Sequence, residues 1–174
     1  MNFLERKNAK EKALGAKSDK QNHVVLIGCD RTGRQLVSYF MRKKVNFLVV
    51  DFNPVVIERL TADNIEAIFG DISDPDIIDA AGLDQSSLVI STIGTSDNLS
   101  ILNYINTLPS KPHSMFVSAT RQEASELYKN GASFVIVPDV VAGDHIKQLL
   151  KAYGLRGDRL ERAGQNHFTR MISI

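Results

Sequence analysis

His23-Val24-Val25-Leu26-Ile27-Gly28-Cys29-Asp30-Arg31-Thr32-Gly33, followed after a helix-like segment by Phe47-Leu48-Val49-Val50-Asp51, decides how the rest of the chain reads. An apolar run that enters a glycine-bounded turn predicts a strand, a phosphate-binding turn and a helix. The second apolar run predicts a parallel strand, and its last residue is an acid placed to hold a ribose.

Outward from this unit, short apolar runs alternate with stretches of helical periodicity, the pattern of βαβ units around a parallel sheet. Leu36, Val37, Phe40 and Met41 fall on one helical face, with Arg34, Arg42, Lys43 and Lys44 outside it. Asn53-Pro54 predicts an N-cap followed by proline at the first helical position, opening a helix through Leu60; Asp74-Pro75 repeats the device for a short helix ending near Gly82. Further strands are expected over 67–69, 88–93, 115–119 and 134–137. Ser96 or Asp97 is expected to cap a helix through Thr107, and Gln122 to Asn130 is helical with Gly131 as its stop. Pro138-Asp139 starts a last amphipathic helix carrying Val140, Val141, Ile146, Leu149 and Leu150. Six strands with five helices between them predict an α/β fold: a doubly wound, Rossmann-like parallel six-stranded sheet with a C-terminal helix after it.

The organisation expected is a charged linker over 1–22, one domain over 23–153, and a tail over 154–174 that is charged, then apolar, and carries no assignable element. A chain of 174 residues is long enough to bury a core, and its 43% apolar and 24% charged content suits a soluble globular protein. A net charge of +1 provides no global field to recruit nucleic acid or an anionic membrane. The single cysteine, Cys29, excludes an intramolecular disulfide and fits a reducing, cytosolic compartment. No apolar run approaches the ~20 residues that span a bilayer, and the N-terminus lacks the apolar core of a signal peptide.

In the dinucleotide fingerprint the first glycine permits the tight turn, the second admits the pyrophosphate to the backbone, and the third lets helix pack on sheet. Gly28 and Gly33 hold the first and third places, and Asp30 stands in the middle one. A carboxylate there adds bulk and negative charge where a diphosphate meets the helix N-terminus. Two unit charges ~4 Å apart repel by roughly 4 kcal/mol at an effective dielectric of 20, enough to erase most of a micromolar affinity if uncompensated. Arg31 can offset this by reaching the phosphate or by pairing with Asp30. Asp51, 18 residues beyond Gly33, is placed to accept both ribose hydroxyls and to disfavour a 2′-phosphate; the competing reading is a cap or a solvated strand end. Asp71 after the third strand can take an adenine amino group or cap the following turn. Ser91, Thr92 and Gly94 close the fourth strand beside the same crevice, and Arg121, past the fifth, is a phosphate contact or a solvated residue of a first helical turn.

Other reactive residues point to little. Cys29 reads as a small buried filler before a nucleophile. His23, His113, His145 and His167 show neither metal spacing nor a triad pattern, and no Tyr-x-x-x-Lys pair is present. With no second domain to bring a substrate to a nicotinamide ring, the pattern argues for a sensor over a dehydrogenase.

At this point the stretch from His23 to about Leu150, roughly three quarters of the chain, resembles the RCK N-terminal (TrkA-N, or KTN) regulatory domain. The matching pieces are the glycine turn with Arg31, Asp51 with Asn53-Pro54 behind it, Gly70-Asp71-Ile72-Ser73-Asp74, Ala80-Ala81-Gly82-Leu83, and the Asn130-Gly131-Ala132-Ser133 turn before Val135-Ile136-Val137-Pro138. The version here looks most like the cytoplasmic end of Kef-type cation:proton antiporters. The resemblance implies a non-enzymatic module that binds AMP or NAD(H), pairs into homodimers or higher oligomers, and regulates a membrane-embedded potassium channel or monovalent-cation antiporter from the inner face of the plasma membrane. It implies that Gly28, Cys29, Asp30, Arg31, Thr32 and Gly33 surround phosphate, that Asp51 with Phe52 holds the ribose side, that Asp71 and Ile72 frame adenine, and that Thr92 and Arg121 complete the wall. It also implies that the last helix packs on a partner subunit. Asp30 departs from the family pattern and makes a mononucleotide competitive with a dinucleotide. Two alternatives stand beside this reading: an NAD-dependent oxidoreductase fragment, and a nucleotide-free assembly module responsive to divalent cations.

Overall fold

Val25, Leu26, Leu48, Val49 and Val89 are fully buried, as strands covered by helices on both faces require. They belong to β1 (His23–Ile27), β2 (Phe47–Asp51) and β4 (Ser86–Ser91) of a six-stranded, all-parallel sheet in the order β3-β2-β1-β4-β5-β6. The remaining strands are β3 (Ala67–Phe69), β5 (His113–Val117) and β6 (Phe134–Ile136). This computed structural model describes residues 20–154 and 157–172; most of the expected 1–22 linker, and the last two residues of the apolar tail end, lie outside the described residues. The chain divides after Ile136 into two compact units, and the whole sheet belongs to the first.

Only the Asn53 and Asp74 N-caps are as expected, and among the described residues five α-helices belong to the sheet unit. They are α1 (Arg31–Lys43), α2 (Pro54–Ala62), α3 (Pro75–Ala81), α4 (Thr95–Thr107) and α5 (Arg121–Lys129). The Asn53 side chain accepts from Val55 N and that of Asp74 from Asp76 N, each with proline at the first turn. Crossing from β3 back to β4 beside β1 reverses the direction of winding, so the β1/β4 boundary is the topological switch point where ligands of such sheets collect.

Several boundaries differ from the sequence reading. Strand β4 ends at Ser91, so Thr92 and Ile93 form a loop, and α4 begins after Gly94, which places Ser96 and Asp97 inside its first turn rather than at its cap. Helix α5 begins one residue early because Thr120 and Glu123 form a reciprocal capping box. Met41 is 51% exposed although it was grouped with the buried face of α1. Gly33, Val37 and Phe40 set the buried stripe, and at about 100° per residue Met41 lies about 80° around the helix from Gly33.

The second unit holds α6 (Pro138–Tyr153) and α7 (Gly157–Ile172). Helix α7 gives the tail the element that its sequence reading lacked. No residue of α6 is buried: Val141, Ile146 and Leu150 are exposed on it, and Leu160, Phe168 and Met171 on α7. No helix among the described residues is long and apolar enough to cross a membrane.

Candidate functional site

The site begins at the β1–α1 turn, where Gly28 adopts φ +84°, the left-handed region that disfavours side chains. A Cβ there would come within 2.8 Å of Ile93 Cγ2 and of Thr92 Oγ1. Gly33 serves close packing, since a Cβ on it would strike the carbonyl oxygen of Gly28. Both fingerprint glycines therefore do what their spacing implied. Gly70, at the end of β3, has the same constraint against the Ile77 side chain.

Asp51 closes β2 and is 8% exposed. Its Oδ2 accepts from the backbone N–H of Cys29 at 2.7 Å, and its Oδ1 from that of Asn53 at 2.8 Å. One carboxylate thus ties the β1–α1 turn to the β2–α2 turn through two charge-assisted hydrogen bonds. A carboxylate oxygen carries two acceptor sites, so each still has capacity for a hydroxyl donor. The strand-end brace and the ribose acceptor, alternatives in the sequence, are compatible in one residue.

A cavity of about 210 Å³ opens beside it. Strand ends supply Ile27, Gly28, Val50 and Asp51; Phe52, Gly70, Asp71 and Ile72 follow β2 and β3; Ile93 and Asp97 follow β4. Phe52 is 72% exposed at this wall, whereas Ile72 is buried. Asp71 Oδ1 accepts from Ser73 N and Ser73 Oγ, both at 2.8 Å, and these bonds, the backbone one first, hold its carboxyl below the ordinary aspartate value. Its turn-capping role is therefore real, and it lines the cavity as well.

The structure does not bring every candidate into that wall. Asp30 stands at the N-terminus of α1 without a side-chain capping bond, and its exposed carboxylate lies 3.9 Å from Arg31 Nε, which is itself exposed. In water such a charge acts on a neighbour 4 Å away with about 1 kcal/mol rather than about 4, so the repulsion expected from the sequence is much reduced. Thr32 is exposed on the first turn of α1, and Arg121 is exposed at the start of α5; neither lines the cavity. Thr92 Oγ1 donates to Gly28 O at 3.0 Å and props the turn. Cys29 is fully buried, and burial pushes its thiol up, against the opposing pull of the Arg59 guanidinium, so it is a filler.

Three residues that the sequence reading gave no ligand role belong to the region. Ile93 and Asp97 reach the cavity across the sheet from a loop and a helix that carry no motif. Arg59, on α2, donates from Nη2 to Cys29 O at 3.4 Å and so meets the glycine turn from the α2 side. Its sequence position signals only a charged helical residue.

The edge beyond β4 is organised differently. Ser91 Oγ donates to Asn98 Oδ1 at 2.5 Å, and Asn98 Nδ2 donates to Val117 O at 2.9 Å and to Ile93 O at 3.2 Å. Ser118 Oγ donates to Glu123 Oε2 at 3.2 Å, next to the capping box. Ser91, Asn98 and Ser118 are all buried. His23, at the opposite end of β1 from the turn, is buried with Nε2 3.1 Å from Ala81 O. Among the described residues no group of three or more His, Cys, Asp or Glu side chains is arranged to hold a metal.

The TrkA-N domain family model matches residues 24–138, which spans the glycine turn and all of the sheet but the first residue of β1. The chain belongs to the TrkA-N domain family. Potassium channel protein 1 of Methanocaldococcus jannaschii is 24% identical over 132 residues, 74% of this chain and 39% of that protein. The chain spans only 20% and 39% of the length of the two curated relatives it matches. Among solved structures, the TrkA-N domain of the Escherichia coli inner membrane protein ybaL superposes with a TM-score of 0.73 at 19% identity, covering 76% of this chain and 99% of that one. The AMP-bound Kef C-terminal domain of Shewanella denitrificans gives 0.65 at 16% identity over 86% of this chain and 92% of that one. The NAD-bound GsuK channel gives 0.63 at 18% identity over 78% of this chain and 25% of that one. The fold is thus shared with the TrkA-N domain of ybaL, the Kef C-terminal domain and the GsuK channel.

Proposed function

We propose that this TrkA-N domain is a regulatory, non-enzymatic module that binds an adenine nucleotide over β1–β3 and thereby controls a potassium channel or monovalent-cation antiporter. The observation that carries the reading is Asp51: a nearly buried carboxylate, fixed by two turn N–H groups, that borders a cavity beside a glycine turn and keeps acceptor sites for ribose hydroxyls. The AMP and NAD found in the Kef and GsuK structures support the ligand class. In this reading Ile72 and Phe52 cover the base, Asp71 offers its second oxygen to an amino group, and the phosphate lies toward the N-terminus of α1 near Arg31.

Regulation then requires the nucleotide to bind one arrangement of an assembled dimer or higher oligomer more tightly than another, because a ligand shifts an equilibrium only by its differential affinity. In this reading the partner is a membrane-embedded transport protein or domain, and the module acts at the inner face of the membrane.

The test is a thermal-shift panel of AMP, ADP, ATP, NAD, NADH and NADP. At 100-fold excess over its dissociation constant a true ligand stabilises by about 2.7 kcal/mol. Asp51→Ala and the gentler Asp51→Asn, which keeps one acceptor for the turns, are expected to abolish the shift. A full shift in both variants overturns the ribose assignment.

A further inference from the structure

Among the described residues the polar side chains of the cavity are three carboxylates, Asp51, Asp71 and Asp97, and no lysine, arginine or histidine lines it. Two of these acids have backbone duties: Asp51 braces two turns, and Asp71 closes its own with Ser73. Asp97 differs. Among the described residues its side chain accepts from Ser96 Oγ at 3.4 Å, longer than an O–H···O bond of normal strength. An acid in the first turn of α4 complements the helix dipole, but that role does not require it to face a cavity. Asp97 therefore puts on the wall a negative charge to which, among the described residues, no backbone N–H is bonded.

Two further observations bear on what fits. At about 210 Å³ the cavity is smaller than the roughly 300–1,000 Å³ pockets that engulf drug-sized ligands, and suits a single nucleoside. On the neighbouring edge, past the switch point, Ser91 and Asn98 are buried, and their polar groups are bonded to each other and to the carbonyls of Ile93 and Val117 rather than offered to a second nucleoside.

We infer that the site selects adenosine ligands carrying one phosphate over triphosphates and dinucleotides, and that Asp97 is the specificity-determining residue that sets this preference. The inference rests on the adenine-nucleotide reading given above. A carboxylate accepts hydrogen bonds from hydroxyl and amino groups and repels phosphate oxygens, so its influence grows with each phosphate added to the same nucleoside. Because Asp97 is exposed, its contribution is screened by salt.

Calorimetric titration of the full chain and of Asp97→Asn, Asp97→Ala and Asp97→Glu with adenosine, AMP, ATP and NAD, at low and high salt, tests this. The wild type is expected to bind AMP more tightly than ATP or NAD. Asp97→Asn and Asp97→Ala are expected to tighten ATP and NAD by about three- to tenfold, an effect typical of one screened charge, while adenosine stays within about twofold. Asp97→Glu retains the wild-type order, and high salt narrows the AMP-to-ATP gap in the wild type more than in Asp97→Asn. An unchanged order in the neutral variants, equal shifts for all four ligands, or a wild type that prefers ATP or NAD overturns the inference while leaving the adenine-nucleotide reading intact. If neither adenosine nor AMP binds the wild type, that reading fails and this inference falls with it.

Discussion

After β2 and β3 the carboxylates of Asp51 and Asp71 face an open cavity, which Asp97 also reaches from beyond β4, whereas Ser91 at the end of β4 and Asn98 behind it bond each other and are buried. Both halves come from the same βαβ construction and end in loops of similar length. What differs is where the side chains after each strand find their partners. Asp51 and Asp71 bond backbone N–H groups of the turns, Cys29 and Asn53 for the first and Ser73 for the second, and retain acceptor sites on the cavity side. Asn98 instead reaches across to Ser91, Ile93 and Val117, so that edge is a plug.

The plug is expected to show the largest effect. Asn98→Ala removes three hydrogen bonds from a fully buried position and leaves two carbonyls and a hydroxyl without that partner, a loss of about 3 kcal/mol in urea unfolding. A loss below about 1 kcal/mol would mean that the plug has no cohesion and the contrast between the halves is one of shape alone. Asp30→Gly ranks next. Its exposed charge is screened, so AMP and NAD are expected to tighten by no more than about fivefold in titrations, and general weakening would identify Asp30 as a ligand contact.

The smallest effect belongs to Asp71. Hydrogen bonds from Ser73 favour its ionised form, so the folded-state pKa lies below the unfolded one. The stabilisation is present above the ordinary aspartate value, about 3.9, and disappears as pH falls through the lower folded value. Its carboxylate is exposed, so Asp71→Ala is expected to cost only a few tenths of a kcal/mol at neutral pH, a difference that closes in acid when melts are followed across pH. A gap that widens on acidification contradicts this sign.

The open half was the legible one. Gly28, Gly33 and Asp51 announce themselves because turn geometry and strand-end position are local properties, and proline after Asn53 or Asp74 marks a helix start for the same reason. The plug was silent. Asn98 reads as an ordinary helical asparagine, and only the neighbouring strand, 19 residues on, gives its amide a partner in Val117. Asp97 and Ile93 reach the cavity by tertiary placement, and Arg59 meets the turn from 30 residues away. Helix α7 escaped notice because its apolar residues are thinly spaced among charged ones, a pattern that also describes an unstructured tail.

One consequence of the Asp51 brace concerns how such a domain can evolve. A residue that both greets the ligand and rivets two loops cannot be exchanged freely to change what is bound. Arginine at position 51, an obvious route to recognising a phosphorylated sugar, would strip the Cys29 and Asn53 amides of their acceptor and unfasten the loops it was meant to retune. A change of ligand preference is far less costly to the fold at a neighbour such as the exposed Phe52, which lines the cavity, than at position 51.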